Sequence, residues 1–164
     1  MQSFDKDTDR GAKTGRNNFG GDLRGRDLAD RPFPPEDAQA FFAQIKAEGA
    51  DFIRYILPWK ALEGVEPGIY HEEYLAYLRK IFLAAEAGGL SVLIDSAGEG
   101  SAGIPQTPEE EARFLDTLRH AYRRLKNCKA IAGWIIPAEP GPDFCARFAG
   151  KMREVNPRLE VYTE

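Results

Sequence analysis

Apolar positions recur along this chain with two alternating periods. Residues 51–57 (DFIRYIL), 91–97 (SVLIDSA) and 130–138 (AIAGWIIPA) are short, mostly apolar runs with β-branched side chains. Such runs are strands buried on both faces, as parallel sheets require. A fourth run, LEVYTE, stands at the C-terminal end. Between them the period lengthens to that of a helix. PPEDAQAFFAQIKAEGA opens on prolines and acidic residues and stops at Gly49, as helix ends prefer. HEEYLAYLRKIFLAAEAGG puts Tyr74, Leu75, Leu78, Ile81, Phe82 and Ala85 on one face and ends in Gly88-Gly89. TPEEEARFLDTLRHAYRRLKN begins with a Thr107 cap, Pro108 and three glutamates at the positive end of the helix dipole. GPDFCARFAGKMREVNP is a fourth, shorter helix.

Helices alternating with buried strands make βαβ units with right-handed crossovers. Two α/β architectures share that pattern. An open doubly wound sheet fits 164 residues, whereas a complete (β/α)8 barrel takes about 250. No Gly-x-Gly-x-x-Gly or Walker-type loop follows any strand, so a nucleotide cradle has no support.

Composition narrows the partners. An apolar fraction of 43% supports one globular core. The net charge of −4 offers no field for nucleic acid or an anionic membrane. The two cysteines, Cys128 and Cys145, lack metal-site spacing and are expected as reduced, partly buried thiols. No apolar stretch approaches the roughly 20 residues of a membrane span, and MQSFDKDTDRGAKTGR has no signal-peptide core. The expectation is a protein without cofactor, metal, nucleic acid or membrane partner, cytoplasmic by default. Residues 1–14 are expected to be poorly ordered and residues 15–164 to form the domain.

In parallel α/β folds, ligands bind at the carboxyl ends of strands. Those ends carry Arg54, Trp59 and Glu63, then Asp95, Ser96 and Glu99, then Trp134 and Glu139. Carboxylates, a guanidinium and aromatic rings together suit a carbohydrate, whose C–H faces and hydroxyls need both. Neither histidine joins them: His71 and His120 fall on or beside helices, which leaves a Ser-His-Asp site without its base.

The run GADFIRYILPWKALEGVEPGIYHEEYLAYLRKIFLAAEAGGLSVLIDSAGEG resembles the opening half of glycoside hydrolase family 5, the cellulase-like and endoglycoceramidase-like barrels. NNFGGDL is similar to that family's first-strand corner, and GWIIPAEP to its fourth strand with the terminal Asn-Glu-Pro. The resemblance implies a (β/α)8 barrel of which about five βα units are present. It implies a retaining hydrolase of β-linked oligo- or polysaccharides with Glu139 as general acid/base. Arg54, Trp59, Asp95, Glu99 and Trp134 are then the expected substrate-binding residues. Arg54 could equally be a buried ion-pair partner, each tryptophan could be core, and Glu63 is expected in solvent.

Two positions and one missing element depart from the family pattern. Ala138 stands where the resemblance expects Asn, and Ala97 where it expects His; both changes remove polar contacts that strengthen in a transition state. The family's nucleophile belongs to a seventh strand, beyond the five expected here, and a retaining pair needs carboxyl groups about 5 to 5.5 Å apart. A degenerate sugar-binding barrel and a five-stranded α/β interaction module are therefore alternatives to a hydrolase. Uncovered sheet edges would also be met by a homodimer of part-barrels.

Overall fold

The structure, a computed structural model, describes residues 2–3, 34–96, 103–137, 139 and 141–163. Its strands are β1 (Gln2–Ser3), β2 (Phe52–Ile56), β3 (Ser91–Asp95), β4 (Ile131–Ile136) and β5 (Glu160–Thr163). Its helices are α1 (Pro35–Ala47), α2 (Glu72–Ala87), α3 (Pro108–Leu125) and α4 (Pro142–Arg153), with a 3-10 turn over Trp59–Ala61. From β2 onwards each element forms where the apolar pattern places it. Within the segment expected to be poorly ordered, Gln2–Ser3 pairs in parallel with Tyr162 and Thr163 on the edge of β5. The NNFGGDL corner lies outside the described residues.

Local chemistry sets the helix ends. Thr107 Oγ1 accepts from the backbone N–H of Glu110 at 3.1 Å, Pro108 opens α3, and Glu109, Glu110 and Glu111 fill its first turn while Arg123 and Arg124 occupy its last. Both groups of charges complement the helix dipole. α2 ends at Gly88, and Gly89 takes a φ of +76° that a side chain would resist.

All strand pairs are parallel, in the order β1-β5-β4-β3-β2. Alternate residues of the sheet, among them Ile53, Tyr55, Ile94, Trp134, Ile136 and Val161, belong to one buried cluster. Phe42 of α1, Leu78 of α2, Leu118 of α3 and Phe148 of α4 join the same cluster. All four helices therefore cover one face of the sheet. A doubly wound sheet reverses its strand order and so places helices on both faces. Here β2 to β5 follow one another without reversal, and right-handed crossovers keep every helix on the same side. This is an arc of a (β/α) barrel, with the helices outside.

The opposite, inner face is smaller. Phe52, Leu93 and Ile135 are buried there with Tyr162 packed against them. Cys128 and Cys145 are free and buried, and burial pushes both thiols above the ordinary thiol value. Among the described residues no helix is long and apolar enough to cross a membrane.

Candidate active site

Strand alternation decides which side chains meet on the inner face. Arg54 shares its face of β2 with Phe52, and Asp95 shares its face of β3 with Leu93. Arg54 donates from Nε to Asp95 Oδ2 at 2.7 Å and from Nη2 to the same oxygen at 2.5 Å. Both residues are buried, Asp95 completely. Charge-assisted bonds of this kind are strong, and they offset the cost of drying two ions. The Asp95 carbonyl also accepts from the N–H of Leu57, which fixes the pair at the carboxyl ends of β2 and β3. The ion-pair alternative for Arg54 is the one realised, with Asp95 as its carboxylate.

Glu139 follows β4 on the same rim and is exposed, in the turn between β4 and α4. Pro137 is buried on one side of it, and its carbonyl accepts from Cys145 Sγ at 3.6 Å. On the other side Gly141, at a φ of +134°, starts α4, and its carbonyl accepts from the N–H of Cys145. The corner carrying Glu139 is thus tied to the first turn of α4 from both ends. Glu99, Ala97 and Ala138 lie outside the described residues.

The two tryptophans are not part of this surface. Trp134 has no exposed area. Its parity on β4 is that of Ile136, towards the helices, and its ring meets Tyr122 and Phe148 edge-on at 5.5 and 6.2 Å. Trp59 is buried against Phe114 of α3 in a T-shaped contact. Neither ring has a free face for a sugar, so the core alternative holds for both and the substrate-binding expectation is corrected. Ser96 also points to the helix side, its Oγ donating to the Ile135 carbonyl at 3.3 Å.

Glu63 is a second correction. It is buried, not solvated. Its carboxylate accepts from Arg113 Nε and from Thr117 Oγ1, each at 2.6 Å, so α3 clamps the segment that follows β2. Beyond Glu63 the chain makes a small hairpin. Glu63 and Tyr70 pair across it, Gly64 N–H donates to the Ile69 carbonyl at 2.6 Å, and Gly68 turns the tip with a φ of +82°. The ring of Tyr70 stacks on His120 at 4.1 Å, and His120 Nε2 lies 2.6 Å from Glu72 Oε1. Both histidines thus lie away from the strand ends, His120 on the surface of α3 and His71 at the N-cap position of α2, where its backbone carbonyl accepts from the N–H groups of Tyr74 and Leu75.

Sequence reasoning passed over one inner-face pair. A Cβ on Gly133 would lie 2.7 Å from the Tyr162 ring and 3.0 Å from the Glu160 carbonyl. The missing side chain lets that ring pack beside Leu93 and over β4. The signal was present in LEVYTE, whose alternation sets Glu160 and Tyr162 on one face and Val161 on the other.

No family model matches the chain. It is 37% identical over 128 residues to a glucosylceramidase of Rhizopus delemar, an alignment covering 71% of this chain and 18% of that protein. A glucosylceramidase of Cryptococcus neoformans var. grubii is 44% identical over 90 residues, covering 51% of this chain and 12% of the relative. The chain spans less than a fifth of the length of these relatives. Among solved structures, an exo-β-1,4-mannosidase of Opitutaceae bacterium strain TAV5 superposes with a TM-score of 0.68 at 18% identity, over 84% of this chain and 29% of that one. A GH5_18 protein of Streptomyces cattleya, in complex with Manβ1-4GlcNAc, gives 0.61 at 15% identity over 80% and 40%. The chain has the fold of a (β/α) barrel portion, similar to that of these glycoside hydrolase structures. In the barrel frame the helices form the outer ring, and the face holding Arg54 and Asp95 looks into the barrel. The rim with Glu139 is then the end at which barrel enzymes place their sites.

Proposed function

We propose that this chain carries the proton-donor part of a retaining β-glycosidase, with Glu139 as the general acid/base. The observation that carries the reading is the position of Glu139: a solvent-facing carboxyl at the corner directly after β4, beside α4 on the carboxyl rim. Glu139 gives its proton to the glycosidic oxygen as the bond to the anomeric carbon breaks. A second carboxylate, supplied from outside these 164 residues, attacks that carbon from about 5 to 5.5 Å away. Glu139 then takes a proton from the water that releases the sugar. The Arg54–Asp95 pair supports the site from beneath by holding the ends of β2 and β3 in register.

The glucosylceramidases that this chain resembles favour a β-glucosyl lipid as substrate over the oligo- and polysaccharides that the motifs alone suggested. A catalytically silent sugar-binding barrel is the second reading, favoured by Ala138 and Ala97 in place of the family's Asn and His.

The test is kinetic. In a protein joining this chain to the second carboxylate, Glu139→Gln should abolish cleavage of glucosylceramide while sparing aryl glucosides with activated leaving groups. Equal loss on both substrates overturns the acid/base role. Sugar binding by calorimetry with no turnover of either substrate selects the silent barrel.

A further inference from the structure

The hairpin after β2 has a held base and an exposed apolar tip. Its base is fixed: Leu62 is fully buried, Glu63 is held by Arg113 and Thr117, and Tyr70 is stacked on His120. Its tip is the opposite. Val65 is 100% exposed and Ile69 60%, on either side of the turn made by Pro67 and Gly68. A lone exposed aliphatic residue is ordinary on a protein surface. Two of them, raised together on a rigid turn, are arranged for contact. The only charged group between them is Glu66, and no lysine or arginine lies between Gly64 and Ile69. The hairpin links the carboxyl end of β2 to α2, so the tip stands at the same end of the barrel as Glu139.

We infer that the Val65–Ile69 tip is a contact for a neutral lipid–water interface, which brings the rim of the barrel down onto a glycolipid lying in a bilayer. The inference rests on the glycolipid reading proposed above. Aliphatic side chains on a preorganised turn enter the headgroup boundary without an ordering cost. An acidic tip on an acidic chain selects a zwitterionic or uncharged surface over an anionic one. The charge of −4 argues against anionic membranes and leaves a neutral surface open to a peripheral contact.

Vesicle sedimentation of the 164-residue chain tests this directly. The protein should sediment with sucrose-loaded phosphatidylcholine vesicles, to the same extent in low and high salt, and less well once phosphatidylserine is added. The pair Val65→Asp and Ile69→Asp should lower the partition coefficient about tenfold. A milder pair, Val65→Ser and Ile69→Thr, should lower it less, and an unchanged unfolding midpoint shows that the fold is intact. Equal partition of wild type and both variants overturns the inference. So does a wild type that stays in the supernatant, or one that binds only with phosphatidylserine and is released by salt. Glu139→Gln should leave the partition unchanged, so failure of this inference appears as lost sedimentation, and failure of the acid/base reading as loss of aryl glucoside turnover by Glu139→Gln in a protein that also supplies the second carboxylate.

Discussion

Two glutamates, Glu63 and Glu139, each follow the carboxyl end of a strand of the same sheet, yet they have opposite surroundings. Glu63 is buried beneath α3 with a guanidinium and a hydroxyl on its oxygens. Glu139 faces solvent on a corner tied down by its neighbours rather than by itself. A carboxylate whose acceptor sites are filled is a fastener. One whose oxygens are open can exchange a proton. The difference comes from what lies across from each residue and not from the local sequence, since both are followed directly by a glycine or a proline.

The largest expected effect breaks the comparison at Glu139. Glu139→Gln should lower turnover of a poor leaving group by about 10²–10⁴-fold while moving the unfolding free energy by less than about 0.5 kcal/mol; a large loss of stability would make it a fastener as well. Next comes the buried pair. Arg54→Met leaves the Asp95 carboxylate dry and without this partner, and urea unfolding should show a loss of about 3–5 kcal/mol. Glu63→Ala should cost about 1–3 kcal/mol by the same measurement, and the double variant with Thr117→Val should cost less than the sum of the two single changes. Gly133→Ala should destabilise by about 1–3 kcal/mol because its methyl meets the Tyr162 ring, and shortening Tyr162 to Val should recover part of that. Smallest is Thr107→Ala, at about 1 kcal/mol for the lost α3 cap.

The strands and helices from β2 onwards were legible because each follows from short-range periodicity and end signals. The choice of barrel over doubly wound sheet was legible only through the resemblance to glycoside hydrolase family 5, since it depends on all helices packing on one face, which no single segment encodes. Trp134 was misplaced for a simpler reason: its proximity to the strand end suggested the rim, whereas the parity it shares with Ile136 points it at the helices. Parity is readable, and applying it to GWIIPAE would have put Trp134 in the core from the outset. Glu63 could not be read this way. Its partners Arg113 and Thr117 are 50 and 54 residues further along, and nothing in EGVEPGIY announces them. The proton-donor role proposed for Glu139 rests on the resemblance to glycoside hydrolase family 5, because one exposed glutamate in a turn has no chemical signature of its own.

The Arg54–Asp95 bridge joins residues 41 positions apart, and that span contains the whole of α2. While β2 and β3 are separate, each ion keeps its hydration shell and loses nothing. Once α2 has swung across and the strands zip together, water leaves both ions at once and their mutual attraction takes its place. The bridge therefore acts as a proofreader of registry: a slip of one residue between the strands would turn one of the two ions towards the oily helix side and strand its opposite number.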